Sequence, residues 1–326
     1  MNTFLGIDIG GTKSAVLLGD ASGQVLARRE WASKASRGPE PMLAELLEKA
    51  RGLLRETKLQ PEAAGVSIGG PLDAERGMIY SPPNLPGWDA LPLKALLEAE
   101  LGLPVNIEHD AAACALAEQL WGAGQGCGRV IYLTCGTGFG AGLVLEGRIY
   151  RGGGGRSPEV GHWRYAADGP EAFGKVGSAE AYCSGSGLGK LAAWKYPARW
   201  GASPPNGKEL HTLSIAGDSD AREILRLNAT ATGHISAQLA DLFRPDRIIL
   251  GSLARYLGAP WLAHVRAAFA AEALPNSADP AQLIVPSALA DKLQDASTLA
   301  AARATGYGIS PQALVGAGTS PDCLKS

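Results

Sequence analysis

Apolar runs and glycine turns alternate along the first third of the chain and set out its elements. Phe4-Leu5-Gly6-Ile7 leads into Asp8, a glycine turn and then Ser14-Ala15-Val16-Leu17-Leu18, which predicts a β-hairpin. A third strand is expected from Gln24 to Trp31. From 40 to 57 the period changes. Leu43, Leu46, Leu47, Ala50, Leu53 and Leu54 share one helical face, with Glu45, Glu48, Lys49 and Arg51 largely opposite. Ala64 to Ile68 reads as a buried strand that ends in Gly69-Gly70-Pro71. Leu93, Leu96, Leu97 and Leu101 mark a helix stopped by Gly102. A strand over Pro104–Ile107 and a helix over Asp110–Leu120 follow.

The same order then begins again. Arg129 to Thr134 predicts a strand, followed by a glycine turn and strands at Ala141–Leu145 and Arg148–Tyr150. A glycine-rich irregular stretch covers 151–177. Helices are expected at about 178–194, 221–243, 259–273 and 291–303, with a strand over Arg247–Leu250 and a loosely ordered tail at 308–326. Strand, glycine turn, strand thus occurs at 4–18 and at 129–145, an internal duplication in pattern. It implies two halves, each a sheet flanked by helices. Ligands in such folds bind where strand ends and glycine turns meet a cleft.

Composition narrows the picture. A chain of 326 residues with 46% hydrophobic and 19% charged positions can bury a sizeable core, which excludes a disordered chain. The net charge is -2, so broad attraction to nucleic acid or anionic membrane is not expected. Cys114, Cys127, Cys135, Cys183 and Cys323 form no CxxC pair, which argues against a disulfide scaffold or a zinc ribbon. MNTFLGIDIGG has no basic leader region, and the longest uncharged stretch, Val130–Leu145, is short of a membrane span. A cytoplasmic protein is expected.

Chemistry concentrates at the turns. Asp8, at a strand end, can hold Mg²⁺ directly or through water. Gly10 and Gly11 let backbone N–H groups face phosphate oxygens, Thr12 adds a hydroxyl, and Lys13 closes the turn without a Walker A ending. The bland alternative is a tight hairpin. The second turn, Thr134 to Gly142, carries Thr137 and Gly138 between two strands, which disfavours a Rossmann site. Asp110 reads as a helix N-cap or as a general base beside a transferred phosphoryl group. Glu159, His162 and Glu180 read as solvated loop residues or as partners for the hydroxyls of a polyol. Asn84 reads as a turn residue or another hydroxyl contact.

The ordered set resembles the ROK group of bacterial sugar kinases, within the actin-like ATPase and hexokinase superfamily. Asp8 to Lys13, Gly70 to Asp73, Pro83-Asn84-Leu85, Glu108 to Ala111, Thr134 to Gly142, Glu159 to His162, Gly177 to Gly185 and Arg247 to Gly251 come in that group's order from residue 3 to about 303. The resemblance implies an α/β fold of two actin-like ATPase (ribonuclease H-like) domains, with mixed sheets flanked by helices around a central cleft. On that fold we expect a smaller domain of 1–112 plus 297–326 and a larger one of 113–296, the last helix returning to the first domain. It implies transfer of the γ-phosphoryl group of MgATP to a hydroxyl, usually the 6-hydroxyl, of a hexose or N-acetylhexosamine such as glucose, fructose or N-acetylglucosamine. The alternatives are a non-catalytic sugar-binding homologue and a polyphosphate-dependent sugar kinase. The group's repressors carry an extra DNA-binding domain before the first turn, for which no room is expected here.

By position, Asp110 matches the base and Asp8 the Mg²⁺-associated acid. Gly10, Gly11, Thr12, Lys13, Thr137, Gly138 and Gly251 match nucleotide contacts. Gly70, Asn84, His109, Asp110, Glu159, His162 and Glu180 match sugar contacts. A homodimer is usual for the group. Three features depart from its pattern. Glu171, Phe173 and Ser178 stand where it often has zinc-binding cysteines, so no zinc site is expected and Phe173 is expected to be buried in its place. His109 stands where it commonly has Asn, so His109 is expected to help set sugar choice. Ser252 stands where it commonly has a second glycine.

Overall fold

The near-continuous apolar runs of β1 (Thr3–Ile9) and β2 (Lys13–Asp20) are buried along almost their full length, as strands covered on both faces must be. β3 (Val25–Ala32) alternates half-buried and exposed positions, the mark of an edge strand. Next come α1 (Pro39–Thr57), β4 (Ala63–Ile68), β5 (Leu72–Asp73), β6 (Met78–Ile79), α2 (Leu93–Leu101), β7 (Val105–His109) and α3 (Asp110–Trp121). They are followed by β8 (Arg129–Leu133), β9 (Ala141–Leu145), β10 (Arg148–Ile149), β11 (Glu171–Ala172), β12 (Lys175–Val176), α4 (Ala179–Cys183) and α5 (Gly185–Lys195). The last are α6 (Pro197–Trp200), α7 (Gly207–Ile215), α8 (Ser219–Phe243), β13 (Arg247–Leu250), α9 (Ser252–Glu272), α10 (Pro280–Leu283), β14 (Ile284–Pro286) and α11 (Leu293–Arg303). The structure, a computed structural model, describes residues 2–275 and 278–304. The tail at 308–326, with Cys323, lies outside the described residues.

The chain divides into two compact units. Among the described residues, the first takes those of 1–126, Gly142–Ser157 and those from Asp291; the second takes Cys127–Ala141 and those of 158–290.

In the first unit a mixed sheet runs in the order β3-β2-β1-β4-β7, with β1, β4 and β7 parallel. Leu5, Ile7, Val66 and Ile107 pack with Leu46 and Leu53 of α1 and Leu97 of α2. The opposite face carries Phe4, Gly6 and Gly65, and α11 lies flat on it. A Cβ on Gly65 would stand 2.0 Å from Ala302 N, and one on Gly6 would stand 2.1 Å from Thr298 Oγ1. Only glycine lets the helix come this close. Asp8, Ser67 and Glu108 stand side by side in register across β1, β4 and β7. Glu108 is buried, bound by Arg151 and by Asn106 Nδ2 at 3.0 Å. Burial still pushes its carboxyl above the ordinary range.

In the second unit β8, β13 and β14 pair in parallel. α8 and α9 lie close, with a Cβ on Gly233 only 2.5 Å from Val265 O. Buried Asn228 links Tyr182 O at 2.7 Å to Trp261 Nε1 at 2.8 Å. The helix expected at about 178–194 is two helices, because Ser184 leaves the first and caps the second through Gly187 N at 2.9 Å. The helix expected at 259–273 begins earlier, at Ser252, and kinks at Gly258, whose φ is 71°. The irregular 151–177 stretch holds the β11–β12 hairpin. Phe173 is not buried: it sits at the hairpin turn with φ 50° and is 69% exposed, since a tight turn points its residues outward.

Candidate active site

In the first unit, strand ends and one helix start enclose a cavity of about 170 Å³. Asp8, Gly10, Gly11, Gly70, Asn84 and Asp110 all line it. The glycine turn after β1 is closed by Gly10 N donating to Lys13 O at 3.1 Å. The Asn84 loop lies directly on it, since a Cβ on Gly11 would stand 2.5 Å from Asn84 O. Thr12 and Lys13 do not line the cavity. Both are exposed, and Lys13 Nζ pairs with Glu30 at 2.8 Å.

Asp8 ends β1 facing the cavity. Gln294 Nε2, from α11, donates to its Oδ1 at 2.8 Å. Burial pushes the Asp8 carboxyl up to about 6; the Gln294 bond opposes this, and Asp295 and Asp110 add to it. Ser67 also lines the cavity, with a buried hydroxyl that has no hydrogen-bond partner among the described residues.

Asp110 opens α3, but the cap position belongs to His109, whose backbone is extended and whose side chain makes no cap bond. Asp110 is the first helical residue and accepts from Ala111 N through Oδ1 at 2.6 Å. Its Oδ2 has no hydrogen-bond partner among the described residues. His109 does not line the cavity. Its ring packs on Gly70, where a Cβ would stand 3.0 Å from ring Cδ2.

The second unit gathers the other residues around its own glycine turn. Gly140 N donates to Thr134 Oγ1 at 2.8 Å, and Gly136 N to Gly138 O at 3.0 Å. Ser186 Oγ of α5 donates to Thr137 O at 2.7 Å. Glu180 of α4 accepts from Phe139 N at 3.2 Å, and burial raises its carboxyl above the ordinary range. The 159–162 turn joins them: a Cβ on Gly161 would stand 2.1 Å from Phe139 O and 3.4 Å from Glu180 Oε2. Glu159 and His162 are exposed on that turn. Gly251 lies behind the glycine turn, its would-be Cβ 2.2 Å from Thr134 O. Ser252 starts α9, its Oγ 3.8 Å from the Cβ position of Gly136.

Near the absent cysteines, Lys175 Nζ donates to His162 O at 2.5 Å, Arg164 Nη1 to Val176 O at 2.7 Å and Lys190 Nζ to Glu171 O at 2.9 Å. Ser178 caps α4. Among the described residues no three or more His, Cys, Asp or Glu side chains group to hold a metal ion.

The sequence matches the profile of the ROK family over residues 4–302. The chain belongs to the ROK family. It is 29% identical over 298 residues to a glucokinase from Halalkalibacterium halodurans, covering 86% of this chain and 88% of that one. Among solved structures, a ROK hexokinase from Thermus thermophilus superposes with a TM-score of 0.82 at 32% identity, covering 93% of this chain and 98% of that one. A ROK family glucokinase from Streptomyces griseus, in complex with glucose and AMPPNP, gives 0.75 at 30% identity, covering 93% and 100%. The fold is therefore that of the ROK sugar kinases, with mixed sheets flanked by helices. A xylose repressor from Caldicellulosiruptor bescii also matches, 27% identical over 280 residues, 82% of this chain and 69% of that one. Family membership alone therefore does not assign catalysis.

Proposed function

We propose that this ROK protein is a sugar kinase that transfers the γ-phosphoryl group of MgATP to a hydroxyl of a hexose or N-acetylhexosamine, the 6-hydroxyl first. One observation carries the reading: Asp110, Asp8, Asn84 and the Gly10–Gly11 backbone face a single cavity. Asp110 Oδ1 is held by Ala111, so Oδ2 is the oxygen that accepts the hydroxyl proton. Asn84 offers a donor and an acceptor to ring hydroxyls. The glucokinases and the hexokinase above support a hexose substrate, and the AMPPNP complex supports ATP.

The donor set at Asp8 fits Mg²⁺. The Asp8 carboxylate with the Gly10–Gly11 backbone beside it suits an ion that keeps waters and takes the rest of its shell from phosphates. When bound, Mg²⁺ neutralises charge on the phosphate oxygens. In the second glycine turn Gly136 N, Phe139 N and Gly140 N already donate within the protein, which leaves the backbone N–H groups of Thr137 and Gly138 for phosphate. Glu159, His162 and Glu180 are assigned to sugar hydroxyls, and Gly251 to the nucleotide side. A cytoplasmic homodimer without zinc belongs to the same proposal.

ADP release over a panel of hexoses, with ATP and with polyphosphate, tests the reading. Asp110→Asn should lose about 10²–10⁴-fold in kcat, while sugar affinity and the thermal midpoint hold, because an amide oxygen still accepts from Ala111 N. A variant that keeps more than about a tenth of turnover would remove Asp110 as the base. Sugar binding without turnover in the wild type would favour the non-catalytic reading, which the repressor relative supports.

A further inference from the structure

The residue beside the assigned base is held in an unusual way. His109 Nδ1 is buried and completes no hydrogen bond among the described residues. It nevertheless stands 3.3 Å from Asp110 Oδ1. A nitrogen lone pair this near a carboxylate oxygen is repulsive, so the ring nitrogen beside Oδ1 is the one assigned the proton. Contact with Gly70 fixes the other side of the ring: a Cβ there would stand 3.0 Å from Cδ2 and 3.3 Å from Nε2. The His109 side chain is 20% exposed against 46% for Asp110, and only Asp110 lines the cavity. A side chain so placed reaches the reaction through its neighbour. The separation is within hydrogen-bond distance and only the alignment falls short; catalytic hydrogen bonds are often poorly aligned without substrate and tighten when it binds.

We propose that His109 is a positioning residue for Asp110: its Nδ1–H holds Oδ1, so that Oδ2 alone is presented to the acceptor hydroxyl. This rests on the reading of Asp110 as base. In the step so served, Oδ2 takes the hydroxyl proton and the hydroxyl oxygen bonds to the γ-phosphorus. The bond from that phosphorus to the bridging oxygen breaks, and its electron pair leaves with ADP. His109 gives up no proton. This role differs from the direct sugar contact that the sequence suggests for His109.

The test compares three variants. Asn carries its amide nitrogen at the same remove from the backbone as Nδ1, whereas Gln carries it one carbon farther and Leu has none. His109→Leu should lower kcat by about 10–10²-fold, the scale of a misplaced catalytic group, with the sugar Kd from calorimetry within about twofold of wild type. His109→Asn should restore kcat to within about threefold of wild type, His109→Gln should not, and the order of sugars should hold in all three. A Leu variant within about threefold of wild-type kcat overturns the proposal. So does a reordered sugar preference at unchanged kcat, which would make His109 a sugar contact. Should thermal melts show that the Leu variant does not fold, the Asn and Gln pair decides on the same criteria. Failure of the underlying reading looks different: Asp110→Asn stays active, or the wild type turns over no sugar, and either result overturns both.

Discussion

At the scale of single residues, the site stores an electrostatic cost. Asp8 ends a buried strand, and burial holds its carboxyl near 6 against an ordinary 3.8. The folded protein therefore binds this proton more tightly than the unfolded chain does, so stability falls as pH rises from about 4 through about 6. Asn cannot ionise and still accepts from Gln294 Nε2. Without nucleotide or divalent cation, Asp8→Asn should thus raise stability at pH 7.5 by on the order of 1–3 kcal/mol, with the gain vanishing near pH 4. Denaturant melts at the two pH values read this directly, and a variant destabilised at pH 7.5 would contradict it. That Asp8, Gly10, Gly11, Asn84 and Asp110, which line one cavity, stand at strand ends, turns and a helix start was legible in the sequence, because such positions announce themselves locally. Which way each neighbouring side chain faces was not legible: Thr12 and Lys13 share the motif yet point to solvent, and His109 turns away from the cavity.

At the scale of elements, most strands and helices follow from apolar period, since β1, β4, α2 and α8 begin and end within a few residues of where the pattern puts them. The exceptions have local causes, as at Ser184 and Gly258, where a cap and a left-handed glycine interrupt continuous helical patterns. Short pairs such as β5–β6 and β11–β12 carry too few residues to show a period. Packing between distant elements was the least legible part. Gln294 reaches Asp8 across 286 residues because α11 lies on the glycine face of the sheet, and no motif marks it. That face makes its own prediction. Gly65→Ala would drive a methyl into the α11 backbone, so it should cost about 1–3 kcal/mol or more, the range for overpacking. The loss should appear as a lower unfolding midpoint in urea at unchanged m, and an unaffected midpoint would mean α11 yields easily.

At the scale of the whole molecule, the chain leaves the first unit after Gly126 and returns to it twice, at Gly142–Ser157 and again from Asp291. Both returns bring groups the first unit needs. Arg151 arrives with the first and meets buried Glu108, while α11 arrives with the second and covers Gly6 and Gly65. Removing one partner of a buried ion pair typically costs about 3–5 kcal/mol, because the other charge stays buried. Arg151→Leu should show such a loss at neutral pH by denaturant titration, and Glu108→Gln in the same background should recover part of it. The late return of α11 also bears on biosynthesis. A ribosome delivers residues in order, at roughly 5–20 per second, and domains tend to fold as they emerge. Residues 1–126 are made before the second unit, yet their sheet must wait for the helix that covers one face until synthesis has passed Leu293. Every segment of the second unit has been made once Ala290 is out. Nascent chains stalled near that point should therefore resist protease within 158–290 while 1–126 is still cut.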